Sequence, residues 1–220
     1  MSSALSMANL FELATKEESA QKPDLVVIFG NDDGNDATNF YYDEANDIWV
    51  GCISDNPRIE YFGYLKKMCL TLHNLAQMKK GWLPIHGAFV NIYLKDGTKK
   101  GIMLMGDSGA GKSESIEALK AAAGDMIREV EVVFDDMGTI HLEDGVPYGQ
   151  GTEIGAFIRL DDLDPGTPYR DMDRSIFMAP ENPNSRMIQP AAPYRVVVHN
   201  HKIDLFAYAN NYTNEFGLKK

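Results

Sequence analysis

The segment that decides the fold is KGIMLMGDSGAGKSESIEALKAAAG, residues 100–124. Its first six residues are mostly apolar and predict a buried strand. The eight residues from Gly106 to Ser113 match the pattern G-x-x-x-x-G-K-[ST] in full. Residues 113–124 then predict a helix that ends at a glycine. A strand, a glycine-rich loop and a helix in this order predict an α/β fold with a loop that binds phosphate groups.

The chemistry of this loop follows from its residue types. Glycines let successive backbone N–H groups turn toward phosphate oxygens, and the N-terminus of the following helix adds partial positive charge. Lys112 would bring a point charge to the outer phosphates, and Ser113 would offer a hydroxyl to Mg²⁺. The alternative, a strand–helix turn without a ligand, is disfavoured because pattern and context agree. The candidate nucleotide-binding residues are Gly106, Asp107, Ser108, Gly109, Ala110, Gly111, Lys112 and Ser113.

A phosphate-binding site of this kind should also contain an acidic residue at the end of a neighbouring strand. EVEVVFDD, residues 129–136, predicts a buried strand that ends at Asp135 and Asp136. One carboxylate could hold a metal ion, and the other could take a proton or orient a water on the metal. An acidic pair at a strand end is often only a turn or a helix cap. Beside a matched phosphate loop, the functional interpretation is favoured.

Hydrophobic patterns and turn residues predict the remaining elements. Asp55 or Asn56 is expected to cap a helix with Pro57 in its first position, and Lys79, Lys80 and Gly81 are expected to end it. Residues 137–216 are rich in proline, which predicts short strands and loops with little helix. The other predictions are a tail or short helix over residues 1–24, strands at 25–30, 84–94 and 100–105, and a hairpin at 39–54 with its turn near Glu44–Asp47.

Composition and charge restrict the class of protein. The chain has 220 residues, of which 44% are hydrophobic, and 32 acidic against 21 basic residues give a net charge of −11. This balance argues against a general nucleic-acid binder and against docking on an anionic membrane. Cys52 and Cys69 are expected to be free thiols in a reducing compartment. The first residues lack the features of a signal peptide, so we expect a cytoplasmic protein.

These motifs resemble the nucleotide-binding part of ATP-dependent phosphoenolpyruvate carboxykinase and of its relative, HPr kinase/phosphorylase. The loop GDSGAGKSES is closer to the kinase form, whereas the surrounding organisation is closer to the carboxykinase. The segments that carry the resemblance are YFGYLKK (61–67), LPIHG (83–87), VVFDD (132–136), FIRL (157–160) and NSRM (184–187). The resemblance covers roughly residues 25–190. It implies a carboxykinase-like catalytic domain over residues 25–220, with a mixed β-sheet core, as a truncated or minimal unit of that kind.

Site residues follow from the resemblance position by position. It implies Mn²⁺ ligands at Lys67, His86 and Asp136, and a nucleotide-bound Mg²⁺ ligand at Ser113. It implies that Lys112 contacts the phosphates and that Arg186 bridges the transferring phosphoryl group. A lone histidine is more often a satisfied core residue, and one of the neighbouring lysines 66 and 67 is expected to lie on a solvated helix face.

The expected function is phosphoryl transfer from ATP of carboxykinase type. In that family oxaloacetate and ATP give phosphoenolpyruvate, ADP and CO₂, a step of gluconeogenesis. The expected partners are therefore a nucleotide and a small carboxylic acid, with a further domain or chain completing the site. One alternative is a kinase of HPr-kinase type, with Asp135 or Asp136 as the base for a protein or small hydroxyl acceptor. The other is a non-catalytic nucleotide-binding module.

Overall fold

The described residues form mainly strands, which are arranged in three sheets, the largest a mixed sheet of six strands. The computed structural model describes residues 7–59, 61–106, 126–159, 177–178 and 185–209, together with the single positions 115, 118, 119, 121 and 124. The strands are β1 (Leu25–Asn31), β2 (Thr38–Asp43), β3 (Ile48–Ser54), β4 (Leu83–Leu94), β5 (Lys99–Met105), β6 (Ile127–Glu143), β7 (Val146–Gly151), β8 (Gly155–Arg159), β9 (Phe177–Met178), β10 (Ser185–Pro190), β11 (His201–Lys202) and β12 (Leu205–Tyr208). The predicted α/β class with a mixed sheet core is confirmed.

The first sheet contains the predicted strand and hairpin. Its strand order is β1-β3-β2, with β1 parallel and β2 antiparallel to β3. Helix α1 (Phe62–Lys79) packs on this sheet, because Ile53 of β3 shares a buried cluster with Leu65, Met68 and Leu72 of the helix. Burial of these apolar side chains holds the helix against the sheet.

The start of α1 differs from the prediction. The expected helix start at Pro57 is wrong, since Asn56 instead forms a local turn that ends at Ile59. In this turn Arg58 N donates to Asn56 Oδ1 and Ile59 N donates to Asn56 O, at 3.0 and 2.9 Å. Ile59 is then buried against the first sheet, and extended Tyr61 precedes the helix. The predicted end is confirmed by the last helical residue, Lys79, and by the positive φ of Gly81.

The central sheet has the strand order β11-β7-β6-β4-β5-β12. Only β12 pairs in parallel, with β5, and the other pairs are antiparallel. Both faces of β4 are buried, with Phe89 in one apolar cluster and Ala88, Val90 and Ile92 in another. The middle of β4 is therefore covered on both faces, inside the central sheet.

Strand β6 is longer than predicted. The expectation that it ends at Asp135 and Asp136 is wrong, because it continues for 17 residues to Glu143. Its second half pairs with both β4 and β7. Asp144 and Gly145 have φ values of +51° and +77°, which make the tight two-residue turn into β7. The two aspartates therefore lie in the middle of a paired strand.

The remaining described residues complete the fold. A third sheet has the order β8-β10-β9, and Leu10 of the N-terminal segment is fully buried against Phe62 and Ile188. In the described part of residues 137–216 the only helix is the short α2 (Tyr194–Val197), in line with the predicted low helix content.

No helix among the described residues has the length and apolar character needed to cross a membrane. Cys52 and Cys69 are free, and burial raises the pKa of Cys69 to about 11.

Candidate functional site

The sheet register brings the glycine-rich loop and the acidic pair to one level of the central sheet. Strand β4 lies between β5 and β6. Its Gly87 pairs with Met105 on one side and with Asp136 on the other. Gly106, the first residue of the glycine-rich loop, directly follows Met105. Because neighbouring strands are about 4.8 Å apart, the start of this loop and Asp136 are separated by two strand spacings, about 10 Å.

The loop itself lies almost entirely outside the described residues. Of the predicted nucleotide-binding residues only Gly106 is described, with a φ of +158°. The helix that the sequence predicts after the loop is confirmed at its four described helical positions, 115, 118, 119 and 121. Leu119 packs against the buried cluster of Ala88, Val90 and Ile92, so this helix covers one face of the central sheet. The predicted residues that lie outside the described part are Asp107, Ser108, Gly109, Ala110, Gly111, Lys112 and Ser113.

Three polar side chains meet beside this level of the sheet. Lys66 of α1 donates through Nζ to Asp136 Oδ2 at 3.1 Å. The second oxygen of the same carboxylate, Oδ1, lies 3.1 Å from His86 Nε2. The Lys66 side chain is buried, whereas those of His86 and Asp136 are 43% and 37% exposed. Solvent and ligands can therefore reach the histidine–aspartate pair, while the lysine supports it from inside the protein.

The backbone at Asp136 explains how its carboxylate reaches His86. In the sheet register His86 pairs with Met137 and Asp136 pairs with Gly87. Residues that face each other across strands point to the same side of the sheet, so a regular Asp136 would point away from His86. Asp136 has a φ of +154°, which L residues rarely adopt. Unusual backbone of this kind often marks a functional position.

Glu153 is a fourth member of this cluster. It lies between β7 and β8 with only 4% of its side chain exposed, and its Oε2 is 3.1 Å from Lys66 Nζ. Burial raises the pKa of Glu153 to about 7 and nearby Asp136 adds to the rise, while the Lys66 ammonium opposes it. The carboxylates of Asp136 and Glu153 thus share the buried Lys66 ammonium group. Desolvation has a stronger effect on the pKa of Glu153 than the Lys66 charge has.

Lys66, not its neighbour Lys67, contacts the aspartate. Lys67 is exposed, and its Nζ lies 5.5 Å from the centre of the Tyr64 ring. Consecutive residues of a helix point about 100° apart, so the two lysines cannot both face Asp136. Of the three Mn²⁺ ligands that the resemblance implied, the structure brings together His86 and Asp136 and places Lys67 on the solvent side.

Arg186 and Lys66 both lie near the Phe157 ring. The Arg186 guanidinium carbon and Lys66 Nζ are each 5.4 Å from the centre of the Phe157 ring. Burial raises the pKa of Tyr61, and the charge of Arg186 opposes that rise, so Tyr61 is also close to this guanidinium. Arg186 therefore brings a further positive charge to the neighbourhood of Lys66, whose own ammonium is already paired with Asp136 and Glu153.

Asp135, the other member of the predicted acidic pair, is also described. It is half-buried and pairs with Ala88, whose side chain belongs to the cluster that also contains Leu119. Opposite residues share a face, so Asp135 lies on the face of the central sheet that the helix after the glycine-rich loop covers.

The donor set at His86 and Asp136 fits a divalent ion. His86 Nε2 and Asp136 Oδ1 lie 3.1 Å apart, within reach of a direct hydrogen bond, and both are atom types that bind divalent ions. An imidazole nitrogen with a carboxylate oxygen suits Mn²⁺ better than Mg²⁺, which prefers oxygen. Among the described residues no group of three or more His, Cys, Asp or Glu side chains gathers around one point. Protein ligands would thus fill only part of the coordination shell.

No protein-family model matches the sequence, and no curated protein matches it at a significant level.

Sequence reasoning did not select Lys66 or Glu153 as site residues. Helical periodicity contained a signal for Lys66, since it lies four residues after buried Phe62 and four before buried Leu70. A charged residue on an apolar helix face requires a partner. The sequence held no comparable signal for Glu153.

Proposed function

We propose that this protein is an ATP-dependent phosphoryl-transfer enzyme of phosphoenolpyruvate carboxykinase type. The observation that carries the proposal is the sheet register, which sets the first glycine of a complete phosphate-loop motif level with the His86–Asp136 pair. In such a reaction oxaloacetate loses CO₂, the resulting enolate oxygen attacks the γ-phosphorus of ATP, and ADP leaves. Catalysis of this kind depends mainly on positioning and on stabilising negative charge.

The glycine-rich loop binds the nucleotide in this proposal. Its backbone N–H groups and Lys112 contact the phosphates, and Ser113 contributes its hydroxyl to the Mg²⁺ that accompanies ATP. Asp107, Ser108 and Ala110 contribute through their backbone. These assignments rest on the motif and on its place in the sheet.

His86 and Asp136 hold the second ion, Mn²⁺, in this proposal. A bound divalent cation supplies positive charge that stabilises an enolate or phosphate oxygen. Lys66 keeps the Asp136 carboxylate oriented by its hydrogen bond to Oδ2, so that Oδ1 stays beside His86. The resemblance implies that Lys67 binds the ion, which requires its amine to be neutral. The Lys67 side chain is exposed, so it would have to turn inward to reach the ion.

Arg186 binds negative charge in the same proposal. Its guanidinium lies beside the Phe157 ring, which Lys66 Nζ also approaches. A guanidinium makes paired hydrogen bonds to a phosphoryl group or a carboxylate. Arg186 would therefore steady the transferring phosphoryl group beside a small carboxylic acid substrate.

The test is calorimetry of ATP binding with Mg²⁺ and with Mn²⁺, followed by a turnover assay with oxaloacetate that detects phosphoenolpyruvate and CO₂. Lys112→Ala should weaken ATP binding by about 1–3 kcal/mol, the scale of a lost charge-assisted contact. An unchanged affinity for ATP in this variant would refute the nucleotide site. ATP binding without turnover of any acceptor would instead indicate a non-catalytic nucleotide-binding module.

A second candidate is a kinase of a protein or of a small hydroxyl compound, as in HPr kinase. The placement of Asp135 favours it, because this carboxylate lies on the face of the central sheet that the helix after the glycine-rich loop covers. There it could take the proton of an acceptor hydroxyl as phosphoryl transfer proceeds. The two candidates differ in one product, since a carboxykinase releases CO₂ from oxaloacetate and a kinase does not.

A further inference from the structure

Glu153 belongs to a line of contacts that ends at the accessible part of the site. Its Oε2 lies 3.1 Å from Lys66 Nζ, which donates to Asp136 Oδ2 at 3.1 Å, and Asp136 Oδ1 lies 3.1 Å from His86 Nε2. Exposure increases along this line from 4% at Glu153 and 8% at Lys66 to 37% and 43% at Asp136 and His86. The buried Glu153 and Lys66 thus support the more exposed Asp136 and His86.

The backbone on both sides of Glu153 is fixed. Thr152 donates through N and Oγ1 to the carbonyl of Met137, at 3.2 and 2.9 Å. Ile154 N donates to Leu10 O at 2.8 Å, and the Ile154 carbonyl accepts from Ala191 N. Since Met137 follows Asp136 in β6, these bonds hold Glu153 at a constant distance from the site.

Stability alone does not account for this arrangement. A buried ion pair often contributes little, because desolvation of both charges offsets their attraction. Among the described residues, the polar contact of the Glu153 carboxylate is with the Lys66 ammonium, at 3.1 Å. A carboxylate kept in this costly position indicates a role in orienting its neighbour.

We propose that Glu153 is a positioning residue for the divalent ion, acting through Lys66. Glu153 holds the Lys66 ammonium against Asp136 Oδ2, and this leaves Oδ1 directed to the ion beside His86. The proposal rests on the ion site of the proposed function. It adds a residue that the sequence motifs did not include.

The experiment measures binding of Mn²⁺ alone to the full chain by calorimetry at pH 8, above the pKa of Glu153, for wild type, Glu153→Gln, Lys66→Met and the double variant. Glu153→Gln keeps the volume and removes the charge, and we expect a loss of Mn²⁺ affinity of about 10- to 100-fold, the usual effect of removing a group that orients a metal ligand. In the Lys66→Met background, Glu153→Gln should alter Mn²⁺ affinity less than about twofold, because the Lys66 ammonium that links Glu153 to Asp136 is absent. Equal losses in both backgrounds would show that Glu153 acts by its charge alone and would overturn the proposal.

Two further outcomes separate this proposal from the proposed function. If wild type binds no Mn²⁺, the ion site itself is refuted, together with the role of Glu153. If wild type and Glu153→Gln bind Mn²⁺ equally well, the positioning role is refuted and the ion site stands. Should Glu153→Gln fail to fold, Glu153→Asp serves in its place: it keeps the charge, shortens the side chain by one methylene, and is expected to lose several-fold in affinity, whereas unchanged affinity would count against positioning.

Discussion

The stability of this protein should depend on pH through Glu153. Burial raises its pKa from 4.5 to about 7, and each unit of difference between the folded and unfolded pKa corresponds to about 1.4 kcal/mol, which gives about 3 kcal/mol in all. The folded protein binds this proton more tightly than the unfolded chain does. The stabilisation is therefore complete below pH 4.5 and is lost as the pH rises through about 7.

The perturbation that isolates this effect is Glu153→Gln, in which the side chain no longer titrates. Urea unfolding of both proteins at several pH values from 4.5 to 8 gives the free energy of unfolding of each. The contributions of most other titrating groups are the same in both proteins and cancel in the difference. The free energy of unfolding of wild type should therefore fall by about 3 kcal/mol relative to that of the variant across this pH range. Glu129→Gln is the matched control, the same change at an exposed position of β6.

A difference in the free energy of unfolding between wild type and Glu153→Gln that stays constant with pH would refute the reasoning. A wild type that gains relative stability as the pH rises would refute it more strongly. That result would mean that the attraction to Lys66, 3.1 Å away, exceeds the effect of burial and lowers the pKa of Glu153.

Three further predictions concern the same region. His86→Ala should abolish the rise in melting temperature that Mn²⁺ causes and keep the response to Mg·ATP; in wild type the Mn²⁺ response should grow with pH, because imidazole binds metal only when neutral. Lys66→Met should change Mn²⁺ affinity in calorimetry and Lys67→Met should not, whereas the reverse result would support the ligand that the resemblance implied. Gly87→Ala should cost about 1–3 kcal/mol in urea unfolding, since its Cβ would lie 2.7 Å from Leu104 O; an unchanged midpoint would mean that β4 and β5 move apart readily.

The strands were predictable because their signals are local. Residues 25–30, the 39–54 hairpin and residues 84–94 show apolar runs bounded by turn residues, and the structure forms β1, β2–β3 and β4 there. The Asp144–Gly145 turn was also encoded locally, since an Asp-Gly pair between alternating residues is a strong hairpin signal. Reading that signal would have extended β6 beyond the two aspartates.

The failures arose where distant contacts decide the outcome. Asn56 and Pro57 carry helix-start signals, but burial of Ile59 against the first sheet favours a separate turn. The choice between Lys66 and Lys67 depends on where Asp136 lies, 70 residues further along the chain from Lys66. Periodicity indicates which helix positions are buried, but not which buried charge finds a partner.

The position of β4 between β5 and β6 has a consequence for folding. Strands β4 and β5 are joined by a turn of four residues, 95–98, so their hairpin is a local structure that forms on the microsecond scale. Strand β6 pairs with β4 only after the chain between Met105 and Ile127 has closed into a loop, which adds an entropic cost and slows the step. His86 and Asp136 belong to the two strands joined in that later step. Their contact therefore reports that β6 has joined β4, and a chain caught before this step would leave that edge of β4 unpaired and keep His86 and Asp136 apart.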